Sequence, residues 1–100
     1  MEINNRFEYE IHYTKAAEKY LKKHEDIRNA YEDAIKELLI GEHPEAVDIK
    51  KIKGKRHDYF RIRIGDHRII YTVINGMIVV IQTLLAGSRG DIYKKMEVLK

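Results

Sequence analysis

Two predicted hairpin turns constrain this chain more than any other feature. The stretch from 58 to 89 contains the dipeptides Gly65-Asp66 and Asn75-Gly76, each between runs of alternating hydrophobic residues. Glycine at the first loop position suits a type II′ turn, and Asn-Gly is the strongest short signal for a two-residue hairpin. Because two-residue loops fix strand register, the sequence predicts three antiparallel strands whose facing residues can be named.

The predicted register places arginines of neighbouring strands side by side. The first loop sets Arg63 opposite Arg68, and the second loop sets Ile74 opposite Met77. Because side chains alternate across a strand, Arg61 shares the face of Arg63. The other face of the three strands is then the core face. It is predicted to carry Phe60, Ile62, Ile64, Ile69, Tyr71, Val73, Ile78, Val80 and Leu84.

The face that carries Arg61, Arg63 and Arg68, called the arginine face below, is expected to bind an anion. Arg89 follows the last predicted strand in the same phase. Like charges that face each other across strands are destabilising, so this cluster gives the fold no benefit by itself. Planar guanidinium groups bind phosphate oxygens through paired hydrogen bonds, and phosphate is therefore the ligand that this face predicts.

The distribution of charge strengthens that expectation. The chain of 100 residues has a net charge of +3, yet residues 50–68 hold 8 Lys/Arg against 2 Asp/Glu, a net of +6. Concentrated basic zones attract nucleic acids, although a solvated loop is the alternative for the lysine-rich part of this zone. The chain has no cysteine, which excludes disulfides and thiolate metal sites. No apolar run approaches the roughly 18 residues of a membrane-spanning helix.

The first half of the chain predicts a layer of helices. Alternating apolar residues over 6–13 predict a short edge strand. Thr14 is a candidate N-cap for a helix over 15–23, and an apolar stripe predicts a longer helix over 25–40 that ends at Gly41. We expect one α+β domain in the order β-α-α-β-β-β-α. Its small, mostly antiparallel sheet carries the two N-terminal helices on one face.

Three segments carry a resemblance to a known family. They are K-I-K-G at residues 51–54, Y-F-R-I-R-I-G-D-H-R-I-I-Y at 59–71, and G-S-R-x-x-x-Y at 87–93. With the order of elements, they resemble the RelE/ParE superfamily of type II toxin-antitoxin toxins over about residues 6–95. That superfamily includes RelE-like messenger RNA endoribonucleases and ParE-like gyrase poisons, and a shared scaffold does not distinguish the two activities.

The RelE branch of the resemblance implies a catalytic set. By position, its members are Arg61, Arg63, Arg68, Arg89 and Tyr93. The resemblance implies that they hold messenger RNA in the ribosomal A site and promote attack of a ribose 2′-hydroxyl on the adjacent phosphate. No metal or cofactor is implied. The arginines would stabilise charge on the phosphate oxygens, and Tyr93 would act as general base.

The resemblance also implies a cognate antitoxin as the partner, and the absence of cysteine fits a protein of the reducing cytoplasm. Further RNA contacts are expected from the basic zone, at Lys51, Lys53, Lys55 and Arg56. The best-known ribosome-dependent members carry lysines where this chain has Arg61 and Arg63. Arginine keeps its proton in proteins, so charge stabilisation transfers to these two positions and proton transfer does not.

Several alternatives stay open at this point. Tyr93 could instead be an apolar anchor that packs the C-terminal segment onto the sheet. His57 and His67 form a rival acid-base pair, but His67 is predicted to point away from the arginine face. The favoured function is an endoribonuclease toxin. The alternatives are a gyrase-inhibiting toxin without nuclease activity and an inactive relative that binds only nucleic acid or its antitoxin.

Overall fold

The chain forms a five-stranded mixed sheet that carries helices on both faces. The computed structural model describes residues 8–99, with side chains described through Glu97. The strands are β1 (Tyr9–Tyr13), β2 (Ile49–Ile52), β3 (Tyr59–Ile64), β4 (His67–Ile74) and β5 (Val79–Ser88). The helices are α1 (Lys15–Lys22), α2 (Glu25–Ile40) and α3 (Arg89–Lys95), with single 3-10 turns at Pro44–Ala46 and Met96–Leu99.

The predicted fold class is confirmed, and the sheet has one strand more than expected. The spatial order of the strands is β1-β5-β4-β3-β2, with β1 parallel to β5 and every other pair antiparallel. β1 lies at an edge as predicted, although the predicted residues Arg6 and Phe7 lie outside the described part of the chain. The additional strand is β2, a stretch that the sequence analysis placed in a lysine-rich loop.

The two N-terminal helices have nearly the predicted bounds. The hydroxyl of Thr14 accepts a hydrogen bond from the Ala17 amide (3.2 Å) and donates one to the carbonyl of Leu84 (2.7 Å). The first bond satisfies an amide that has no partner within the helix, and the second ties the start of α1 to β5. α2 covers the predicted range and is followed by Gly41, whose amide bonds to the carbonyl of Glu37 (3.0 Å).

The first hairpin confirms the predicted turn and register. Gly65 has φ of +59°, and Asp66 is outside the positive-φ region, as a type II′ turn requires. Arg63 lies opposite Arg68, and Arg61 lies opposite Ile70. A tight loop whose glycine adopts a conformation disfavoured for other residues therefore fixed the pairing of β3 and β4.

The second hairpin was predicted wrongly. Neither Asn75 nor Gly76 has a positive φ, and Ile74 pairs with Val80 rather than with Met77. The loop is longer than two residues, and the pairing is shifted by three positions. Because an odd shift exchanges the two faces of a strand, Ile81 lies on the core face where Val80 was expected.

A register shift between Ile70 and Tyr71 of β4 then changes again which side chains of β5 face the core. Tyr71 pairs with Thr83, whereas Ile70 pairs with Leu85. Leu84 is the extra residue on the β5 strand at this irregularity, and it packs against the arginine face instead of the core. Beyond this point, Gly87 is the partner of Arg68.

The main core lies between the sheet and the α1-α2 layer. Its buried members are Leu21, Tyr31, Ile35, Ile62, Ile69, Tyr71, Ile81 and Ala86. The Tyr31 and Thr83 hydroxyls are hydrogen bonded inside it at 2.7 Å, so that neither buried oxygen is left without a partner. A smaller cluster lies on the opposite face, where Ile92 and Met96 pack against Ile70 and Leu85.

Candidate functional site

The arginine face combines charged side chains with the smaller apolar cluster. Alternation along β3 puts Arg61 and Arg63 on the same face, and cross-strand pairing puts Arg68 beside Arg63. Towards β5 the next partner of Arg68 is Gly87, which has no side chain. A Cβ atom at Gly87 would lie 3.2 Å from Nζ of Lys95 and at an ordinary contact distance of 3.6 Å from Cδ1 of Ile92, which shows how closely α3 passes over the strand.

One carboxylate binds two of the three arginines. Oδ1 of Asp48 lies 3.1 Å from Nη2 of Arg61, and its Oδ2 lies 2.6 Å from Nε of Arg63. The Arg61 side chain is 15% exposed and that of Arg63 is 51% exposed. The backbone carbonyl of Asp48 also accepts the amide of Arg63 (3.0 Å), which extends the β2-β3 pairing by one residue. The repulsion predicted on this face is thus reduced inside the protein.

Sequence reasoning missed Asp48 as a member of the site. Its only sequence signal is an acidic residue directly before the basic stretch I-K-K-I. That signal becomes informative only once 49–52 is recognised as a strand that pairs with β3. Lys50, which lies opposite Arg61, was also passed over, and it shares the arginine face.

Arg68 is the most deeply placed charge of the site. The residue is buried, and its Nη1 donates a weak hydrogen bond to the carbonyl of Gly65 at 3.4 Å. Within residues 8–99, Nε of Arg68 and Nε of Arg61 are buried and have no hydrogen-bond partner. Buried donors without a partner are rare in folded proteins because their desolvation is uncompensated. An anionic ligand at this face would supply acceptors for them.

α3 brings the last two predicted residues to the edge of this face. Arg89 begins the helix, and its amide donates to the carbonyl of Asp66 in the first hairpin turn (2.9 Å). Arg89 and Tyr93 are one helical turn apart and both are exposed, Tyr93 to 58%. The alternative role of Tyr93 as an apolar anchor is therefore wrong. Ile92 and Met96 attach the segment instead.

The predicted RNA-contacting residues of the basic zone occupy different surroundings. Lys51 lies opposite Phe60, and so on the helix side of the sheet, and its Nζ contacts Asp58 at 3.2 Å. The other three, Lys53, Lys55 and Arg56, are exposed in the loop between β2 and β3. These three remain accessible to a large anionic ligand, whereas Lys51 faces away from the arginines.

His67 lies on the helix side of the sheet, away from the arginine face, as predicted. Nδ1 of His67 and the hydroxyl of Tyr20 are hydrogen bonded at 2.7 Å, on the side of α1. Burial, reinforced by the charge of Asp91, raises the pKa of Tyr20. His57 packs edge-on against Tyr59 in the loop before β3. Over residues 8–99, no group of three His, Asp or Glu side chains is arranged to hold a metal ion.

Comparison with known proteins agrees with this geometry. A family model described as the ParE toxin of the type II toxin-antitoxin system parDE matches residues 11–90. A chain in the crystal structure of the RelB-RelE antitoxin-toxin complex from Methanococcus jannaschii is 32% identical, with a TM-score of 0.56, and the match covers 84% of this chain and 96% of that one. This chain belongs to the RelE/ParE toxin superfamily.

A second solved structure of the superfamily is similar to this toxin. The archaeal RelE-RelB complex from Pyrococcus horikoshii OT3 contains a chain that is 31% identical, with a TM-score of 0.54. The match again covers 84% of this toxin and 96% of the other chain. No curated protein sequence matches this toxin. None of the helices within residues 8–99 is long and apolar enough to cross a membrane.

Proposed function

We propose that this toxin is an endoribonuclease that cleaves messenger RNA in the ribosomal A site without a metal ion. The observation that carries the proposal is the arginine cluster. Arg63 and Arg68 are paired across two strands, Arg61 shares their face, and Arg89 begins the helix packed over it. A surface of this kind suits a phosphodiester better than it suits a protein partner, because guanidinium groups match phosphate geometry.

The proposed reaction is attack of the ribose 2′-hydroxyl on the adjacent phosphorus. The phenolate form of Tyr93 takes the proton of that hydroxyl and becomes the phenol, and the new bond to phosphorus forms as the bond to the 5′-oxygen breaks. The products are a 2′,3′-cyclic phosphate and a 5′-hydroxyl that takes its proton from water. Arg61, Arg63 and Arg68 stabilise the charge on the non-bridging oxygens. Arg89 stabilises the leaving oxygen.

Arg68 is well suited to hold the reacting phosphate. Because the residue is buried between neighbouring strands, its side chain is already ordered before the ligand arrives, and little entropy is lost on binding. The exposed side chains of Lys53, Lys55 and Arg56 extend the positive surface along the RNA backbone. Lys51, which lies in β2 on the helix side of the sheet, is not part of this surface.

We further propose a cognate antitoxin as the protein partner and the cytoplasm as the place of action. Both similar structures are complexes of a RelE toxin with a RelB antitoxin. A protein surface that offers both basic and exposed apolar residues suits an acidic amphipathic segment. Exposed apolar side chains are present at Ile74, Met77 and Ile78, in and beside the second hairpin.

Inhibition of DNA gyrase without cleavage is the second candidate function. It is favoured by the ParE toxin model that matches residues 11–90. The pairing of Asp48 with Arg61 and Arg63 also lowers the net positive charge that this face offers to RNA. A protein-binding toxin would tolerate that neutralisation more easily than a nuclease.

Programmed ribosomes distinguish the two functions. The purified toxin is incubated with ribosomes that translate a defined messenger RNA, and new RNA ends are mapped. Arg68→Met, which keeps an apolar stem in the buried position, and Arg89→Ala are each expected to reduce cleavage by about 100-fold or more, as loss of a group that stabilises transition-state charge does.

The matched control is Lys94→Ala, which removes one exposed positive charge from the same helix as Arg89. It is expected to cleave at nearly the parent rate. Intact RNA during active translation would contradict the nuclease proposal. Inhibition of gyrase supercoiling by the same preparation would then support the second function, and inactivity in both assays would indicate a relative that only binds.

A further inference from the structure

The carboxylate of Asp48 occupies the position between two guanidinium groups where an anionic ligand is expected to bind. Each of its oxygens contacts a different arginine, at 3.1 Å from Nη2 of Arg61 and 2.6 Å from Nε of Arg63. Carboxylate and phosphate oxygens accept hydrogen bonds from the same guanidinium donors. A phosphate that binds Arg61 and Arg63 together must therefore take these donors from Asp48 or share them with it.

The contact is built so that it can be released. Asp48 lies in the connection that leads into the edge strand β2, and its side chain is 39% exposed. Ion pairs that water reaches are weak, because solvent screens them and both side chains lose freedom in forming them. The backbone of Asp48 is held separately, through its carbonyl and the amide of Arg63. The side chain can consequently turn away while the strand pairing is kept.

We propose that Asp48 is an internal competitor of phosphate, which keeps Arg61 and Arg63 neutralised and ordered until a phosphate displaces it. This inference rests on the proposed function, because it takes RNA as the ligand of the arginine face. In this scheme, a phosphate that reaches only Arg61 and Arg63 gains little, since it merely replaces Asp48. A substrate gains affinity only if it also binds Arg68. Asp48 thereby disfavours polyanions that contact Arg61 and Arg63 but not Arg68.

The chain offers a closely matched control for this inference. Asp58 is also 39% exposed, lies within ten residues of Asp48 and pairs with a basic residue, Lys51, at 3.2 Å. It differs from Asp48 in lying away from the arginine pair. Asp48→Asn and Asp58→Asn therefore change the net charge equally, but only the first removes the competitor. Asp48→Glu keeps the charge and tests whether shape alone matters.

The first measurement is the affinity for a single-stranded RNA that cannot be cleaved because its riboses carry 2′-O-methyl groups. Binding is measured by fluorescence anisotropy over a range of salt concentrations. Asp48→Asn is expected to bind about 3- to 10-fold more tightly than the parent, because it removes an exposed ion pair with Arg63 and a partly buried one with Arg61. Asp58→Asn is expected to change affinity by less than about 2-fold on the same scale. The dependence on salt should steepen by roughly one phosphate contact in Asp48→Asn alone.

Equal or weaker RNA binding by Asp48→Asn, compared with Asp58→Asn, would overturn the inference and make Asp48 a structural support. Circular dichroism checks that each variant is folded, and Asp48→Ser replaces Asp48→Asn if the latter is not.

If neither the parent nor any variant binds RNA, the proposed function fails, and a titration with a second ligand tests the role of Asp48. In that titration, inorganic pyrophosphate should shift the Nε–H resonances of Arg61 and Arg63 at lower concentration in Asp48→Asn than in the parent. An unchanged midpoint would overturn the inference.

Discussion

Replacement of Ile92 by alanine tests how α3 is held over the arginine face. The helix has seven residues, too few to be stable without tertiary contacts. Its attachment depends mainly on Ile92 and Met96, which are buried against Ile70 and Leu85. Two backbone carbonyls add polar contacts: that of Asp66 accepts the amide of Arg89 (2.9 Å), and that of Ala86 accepts Nζ of Lys95 (3.0 Å).

The expected magnitude follows from the burial of Ile92. Its replacement by alanine removes three carbon atoms from a fully buried position, at about 0.8 kcal/mol each. Incomplete relaxation around the cavity brings the cost to about 2–4 kcal/mol. This energy shifts the docking equilibrium of α3 by roughly 30- to 700-fold towards the undocked form. The main core is a separate cluster on the other face, so it should stay folded.

Hydrogen exchange with mass spectrometry measures this shift. Amides of α3 should exchange faster in Ile92→Ala by a factor in the stated range, while amides of β4 and β5 keep the protection of the parent. Ile74→Ala, at a position that is 51% exposed, is the control and should leave both regions unchanged. Because Arg89 and Tyr93 are on α3, RNA cleavage should fall together with docking. Unchanged exchange in α3, or an equal acceleration throughout the sheet, would refute the reasoning.

Two further predictions concern the main core. Tyr31→Phe leaves the buried Thr83 hydroxyl without its hydrogen-bond partner at 2.7 Å, and it should lower the free energy of unfolding, measured in urea, by about 1–3 kcal/mol. Addition of Thr83→Val to this variant should recover part of the loss. Full stability of Tyr31→Phe would contradict the hydrogen bond between the two hydroxyls. Burial raises the pKa of Tyr71 to about 12 from 10.0, so the folded state keeps a proton that the unfolded chain releases. The stability from this group is complete below pH 10 and should decline by about 3 kcal/mol as the pH rises towards 12. Tyr71→Phe should flatten that decline in urea titrations, and an unchanged pH dependence would exclude Tyr71 as its source.

Local signals in the sequence were sufficient wherever the decisive contacts are between near neighbours in the chain. The N-cap at Thr14 and the bounds of α2 depend on residues within a few positions, and both were predicted. The first hairpin is equally local, because Gly65 alone supplies the positive φ that its turn needs. The pairing of Arg63 with Arg68 follows directly from that turn.

The second hairpin was predicted wrongly because distant contacts outweigh its Asn-Gly signal. β5 is paired on both sides, with β4 and with the parallel strand β1, where Ile81 lies opposite Ile11. It also places Thr83 under the hydroxyl of Tyr31 on α2. The contacts of β5 with β1 and with α2 join residues more than fifty positions apart, and burial of the correct face is worth more than a preferred turn type.

In the candidate site, too, local features were predictable from the sequence and long-range contacts were not. The sequence by itself determined which arginines share a face, because strand alternation and one tight turn are local geometry. Tertiary structure alone decided that Asp48 binds two of them, since this requires β2 to pair with β3 across a loop. It also decided that Arg68 is buried and that Tyr93 is exposed. Burial and long-range ion pairing depend on how whole elements pack, and no local pattern encodes that packing.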